Sequence, residues 1–226
     1  MKRTGKFLTA YEGLLARLDC PCFSEPPPLV PRPAPISTSK EILEHMERLR
    51  QDKQMIDIHI NVKEDVLTNV KEERFAAHKF VLAASSGYCK VFFAGNCGSQ
   101  MLDRDEFDFN VGSRKASTLS IMLDSAYGRD FSAPELRNPN DNDEKANNLD
   151  HMLDLLICTD AWQMARLHSQ VEDYLTEPGN AAIYRRADNV EDILAIAKLA
   201  RASRVVKSCE AYIQHNQKGM SIMKSI

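Results

Sequence analysis

The sequence predicts an α+β fold: a small three-stranded sheet flanked by a cluster of α-helices, with extra helices at the N-terminal and C-terminal ends. Three observations predict it. Ile56, Ile58, Ile60 and Val62 alternate with Asp57, His59 and Asn61, the period of a strand with one apolar and one polar face. Residues 74–77 and the alternation Phe107, Phe109, Val111 supply two more strands. Most of the remaining chain places apolar residues at helical spacing, as helices that bury one face do.

Composition narrows the class. The chain has 226 residues, 43 % hydrophobic and 27 % charged, ordinary for a globular protein. A core of about 150 residues buries roughly two thirds of its unfolded surface and needs no metal or disulfide. The formal net charge of -3 argues against direct nucleic-acid binding, which draws on Lys/Arg-rich faces. No apolar run reaches the length of about eighteen residues that a membrane span requires. Residues 1–15 carry Lys2, Arg3 and Lys6, but Glu12 interrupts their hydrophobicity and no secretory core forms. The expectation is an intracellular protein of nucleus or cytoplasm, with no membrane association. Cys89, Cys158 and Cys209, in apolar helical settings, fit reduced thiols acting as small hydrophobes.

The elements follow in order. Residues 1–37 hold a segment, 21–36, with seven prolines; these remove donors and fix φ, giving a stiff spacer, or alternatively a PxxP ligand at Pro28 to Pro31. Thr38 and Glu41 form a capping box for a helix over 38–55, with Ile42, Leu43, Met46 and Leu49 as its stripe. After the first hairpin, His78-Lys79 opens a short helix through Phe80, Val81, Leu82, Ala83 and Ala84, and a second spans 88–93. Ser113 is placed to cap a helix whose stripe is Leu119, Met122, Leu123 and Ala126, ended by Tyr127-Gly128. Residues 129–148, rich in Asn and Asp, read as a polar insertion loop. Two helices follow, with Leu149, Met152, Leu153, Leu156, Ile157 and then Met164, Leu167, Val171, Leu175 facing inward; Trp162 marks their turn and Pro178-Gly179 their end. A last hairpin pairs Ile193, Leu194, Ala197 and Ala200 with Val205, Val206, Cys209, Tyr212 and Ile213, with Asp188 as its cap and a turn at 201–203.

Catalytic constellations are not legible. His78 lies near Ser85 and Ser86, but no G-x-S-x-G elbow and no third group accompany them. Cys20 and Cys22 have no second pair at zinc-ligand spacing, and no glycine-rich phosphate loop occurs. The expectation is no enzyme, no catalytic residue, no metal and no cofactor.

The ordered series Asp57-Ile58, Phe75, Ala77-His78-Lys79, Val81-Leu82-Ala83-Ala84, Ser86, Tyr88 and Phe92-Phe93 resembles the core of the BTB (POZ) domain. That core reads D-V-x-φ-x-V, then F-x-A-H-K-x-V-L-A-A-x-S-x-Y-F, then an aromatic pair. Residues 121–131 resemble the family's helix ending in Tyr-Thr-Gly, and 149–175 its closing helical hairpin. Residues 189–213 are similar to the first helical pair of the BACK region. The resemblance implies a BTB domain over 56–178, preceded by the 38–55 helix and followed by a BACK-like hairpin and tail over 179–226. It makes His78 structural. It implies a protein-protein interaction scaffold that forms a homodimer through Ile42, Leu43, Met46 and Leu49 and the strand around Ile58. It also implies a charged pocket formed by Asp57 and Lys79. One use of the family is as a substrate adaptor for cullin-3 ubiquitin ligases; a cullin contact would fall on Cys97, Met101 and Leu102, although this stretch lacks the family's φ-x-E glutamate. The alternative is an oligomerisation module of a transcriptional or signalling regulator.

Overall fold

The computed structural model describes residues 39–66, 69–93, 105–109, 115–132 and 142–223. Its elements are α1 (Ser39–Gln51), β1 (Ile58–Val66), β2 (Asn69–Ala77), α2 (Lys79–Ser85), α3 (Gly87–Phe93), β3 (Glu106–Phe109), α4 (Lys115–Ala126), α5 (Asn142–Ala161), α6 (Ala165–Thr176), α7 (Pro178–Tyr184), α8 (Val190–Leu199) and α9 (Ser203–Met223). The α+β expectation and its three strands stand. Thr38, Ser113, the proline-rich segment, and Cys97, Met101 and Leu102 lie outside the described residues.

The sheet has the order β2-β1-β3. β1 and β2 run antiparallel with Ile58 opposite Ala77, whereas β3 lies parallel to β1 with Ile60 opposite Phe107. The alternation in β1 does what period-two chemistry requires: Ile58, Ile60 and Val62 are buried, and His59 and Asn61 stay half-exposed. β2 is longer than the sequence reading, beginning at Asn69, because its added residues extend the backbone ladder with β1 and need no apolar signature.

The sheet's buried face packs on α4, whose Leu119, Met122 and Leu123 are almost fully enclosed. Burial of each such side chain contributes about 1.5–3 kcal/mol. α5 runs through the middle of the core, with Met152, Leu155, Leu156 and Cys158 at zero exposure. It begins at Asn142, so residues 142–148, expected within a polar loop over 129–148, are helical. Those first turns carry few apolar residues, so periodicity did not reveal them.

Four helices close in the same way. Lys53, Gly128, Gln163 and Arg201 each have positive φ after α1, α4, α5 and α8. In each case the following amide reaches back to the fifth residue before it: Gln54 to Leu49, Arg129 to Asp124, Met164 to Thr159 and Ala202 to Ala197. This is the Schellman closure, which satisfies otherwise orphaned carbonyls. Only one of the four uses glycine, so only that stop was visible as a glycine in the sequence.

The start of α3 sits tightly on the α5–α6 turn. Ser86 Oγ donates to Trp162 O at 2.6 Å and accepts from Cys89 N at 3.0 Å. A Cβ at position 87 would lie 2.3 Å from Gln163 Oε1, so glycine permits this approach. Trp162 is buried there, its ring 6.0 Å from that of Tyr88.

Two expectations in the C-terminal region are corrected. Pro178-Gly179 ends α6 but also starts α7, with proline in its first turn, where the missing amide costs nothing. Asn189, not Asp188, occupies the N-cap position of α8. Asn189 Oδ1 accepts from Arg186 N and its Nδ2 donates to Tyr184 O, while the Asp188 carboxylate pairs with Arg186. The α8–α9 hairpin then shares the main core: Val190, Ile193, Ile196, Ala197, Val205 and Cys209 belong to the same buried cluster as β1 and α4.

Candidate interaction surface

α1 has two faces, and the structure assigns them differently from the sequence stripe. Its inner face docks on the end of α4. Leu43 rests against Gly128, where a Cβ would come within 2.9 Å of Leu43 Cδ1 and φ is +84°, so glycine serves both the turn and the contact. Glu47, 6 % exposed, receives Arg50 Nε at 2.6 Å and Arg50 Nη2 at 2.7 Å, with Arg129 Nη2 at 3.1 Å. Arg50 lies over the Tyr127 ring, 5.0 Å from its centroid.

The two carboxylates of this cluster shift in opposite directions. Burial pushes Glu47 up, but hydrogen bonds and charge from Arg50, with Gln51 and Arg129, more than offset it and hold the carboxyl below its ordinary range. Burial also raises Asp124, and Arg129 and Arg50 do not offset it there. Distance and like charge explain the contrast, since Asp124 stands 3.5 Å from Arg50 and 3.8 Å from Arg129, and the Glu47 charge raises it further.

A cleft of about 620 Å³ opens beside this cluster. Glu44, Glu47 and Asp130 on its walls balance Arg48, Arg129 and Arg166, so its formal charge favours neither an anion nor a cation.

The junction between β2 and α2 is built around His78, which is 2 % exposed. Tyr127 Oη accepts from His78 N at 2.9 Å and lies 2.6 Å from His78 Nδ1; His78 Nε2 is 3.2 Å from Gln54 O. Gln54 O can only accept, so Nε2 carries the proton, and the tyrosine hydroxyl donates to Nδ1. Every polar group of the ring is thereby satisfied inside the fold, which makes His78 structural. Burial also pushes the Tyr127 hydroxyl up to about 12, so it stays protonated as this network needs.

Asp57 takes a role that its spacing did not suggest. Its Oδ1 accepts from the backbone N of Lys79 at 2.7 Å, so the carboxylate caps the first turn of α2. Lys79 Nζ lies 3.9 Å from Asp105 Oδ1. Asp57 remains exposed in the single chain.

The expected dimer residues therefore separate. Ile58, at 1 % exposure, is used up in its own core and has no side-chain surface to offer a second copy. Met46 packs half-buried against that core, as Leu43 does on Gly128. Ile42 points out at 61 % exposure and Leu49 is half-buried. Two residues outside the stripe join Ile42 as the exposed large apolar side chains among the described residues: Met55 at 77 % and Phe80 at 56 %. Phe80 was legible in principle, because Phe80, Val81 and Leu82 are consecutive on a helix and cannot all face inward.

A family model for the BTB/POZ domain matches residues 46–179, more than half of the chain. The chain belongs to the BTB/POZ domain family. No curated protein matches it significantly. The fold thus defines a protein-protein interaction and oligomerisation scaffold, a class that mediates self-association and the binding of other proteins. Among the described residues no helix is long and apolar enough to cross a membrane, and no group of three or more His, Cys, Asp or Glu is arranged to hold a metal.

Proposed function

We propose that this chain is a homodimeric interaction scaffold that works inside the cell, in nucleus or cytoplasm. It self-associates through the outer face of α1 and the start of α2, and its BACK-like hairpin over 179–226 extends the platform. The observation that carries this reading is the exposure of Ile42, Met55 and Phe80 around an α1 whose inner face is already occupied by its own chain. Apolar side chains left in water favour association. The charged pocket of Asp57 and Lys79 would become enclosed only when a second copy covers the exposed carboxylate. Analytical ultracentrifugation at tens of micromolar tests the dimer: a two-chain mass is expected, and a monomer throughout that range overturns the reading.

The second partner in this proposal is cullin-3, with the chain as substrate adaptor. Support comes from α3, whose Phe92-Phe93 pair leads into the segment bearing Cys97, Met101 and Leu102. The competing role is oligomerisation of a transcriptional or signalling regulator. A pull-down with the N-terminal region of cullin-3 separates them. Retention supports the adaptor, and loss of retention on Met101→Ala/Leu102→Ala assigns the contact. No retention favours the regulator.

A further inference from the structure

We draw no further inference here: the strongest candidate, the cleft of about 620 Å³ between α1, the end of α4 and the start of α6, carries both signs of charge on its walls, and nothing in the structure shows what covers it.

Discussion

The helices at the two ends of the described chain are attached by different physics. The α8–α9 hairpin contributes Ile193, Ile196, Ala197 and Val205 to the common core and seals its edge with charges. Glu172 accepts Arg204 N at 2.8 Å, and Arg201 Nε reaches Asp160 Oδ1 at 2.8 Å. α1 brings only the half-buried Met46 against that core. It rests on Leu43 against Gly128 and on the Glu47–Arg50–Arg129 cluster, and it leaves Ile42 in solvent. An element whose apolar side chains are spent inward is finished as a surface. One that is anchored by polar groups keeps apolar surface to share.

Four tests would break or sharpen that contrast. The largest effect is expected from Ile193→Ala in the hairpin. Loss of a side chain at 3 % exposure should cost about 2–5 kcal/mol. Because the hairpin shares the core, urea unfolding should remain a single transition; a separate early transition confined to the hairpin would show that the core is divided.

Next come the two carboxylates that tie each element down. Both side chains are 8 % exposed. Glu172→Ala removes an acceptor from the Arg204 backbone amide as well as from its guanidinium, and should cost about 2–3 kcal/mol. Glu47→Ala should cost less, about 1–2 kcal/mol, because the partners it loses are side chains, of which Arg50 keeps Asp124 at 3.5 Å and Arg129 is half exposed. Equal losses by chemical denaturation would contradict the distinction.

The third test is pH. His168, near Asp160, Glu172 and Arg201 and 3.1 Å from Thr159 Oγ1, has its pKa lowered from 6.5, mainly by burial. A depressed folded pKa means that the unfolded chain binds the proton more readily. The stabilisation is therefore complete above pH 6.5 and is lost as pH falls through that value toward the folded pKa. Asp160 works oppositely: burial raises it above 3.8, despite the pull of Arg201, so protonation near that pH relieves a cost. His168→Asn should flatten the stability profile just below pH 6.5 and, by removing a charge that lowers the Asp160 pKa, push that carboxyl further up. A wild-type melting temperature that rises on acidification from pH 7 to 5.5 would refute the assignment.

The smallest effect on stability should come from Phe80→Ala, within about 0.5 kcal/mol of the wild type for an exposed site. Thermal melts at concentrations low enough for the monomer would measure it. A loss above about 2 kcal/mol would mean that the ring serves its own fold.

How much was legible differs by element. The burial of Ile58, Ile60 and Val62 followed from alternation alone, because a strand's side chains must point to opposite faces. The stripe of α4 and its stop at Gly128 were equally readable. The outward and inward residues of α1 were not. Ile42 and Leu43 are neighbours in one apolar stripe, and only the position of Gly128 decides which of them is covered. Asp57 could be seen as one half of a charged site, but that it caps α2 depends on a 22-residue separation being closed by the sheet.

By itself the sequence determined most of the periods, those of the strands and of every helix except α7 and the first turns of α5, and the Ala77-His78-Lys79 junction that marks the family. Those are local properties, set by side-chain spacing and backbone chemistry. The tertiary structure decided which apolar residues were left over. That depends on how much of each helix face its neighbours cover, and coverage is a property of elements brought together from distant parts of the chain.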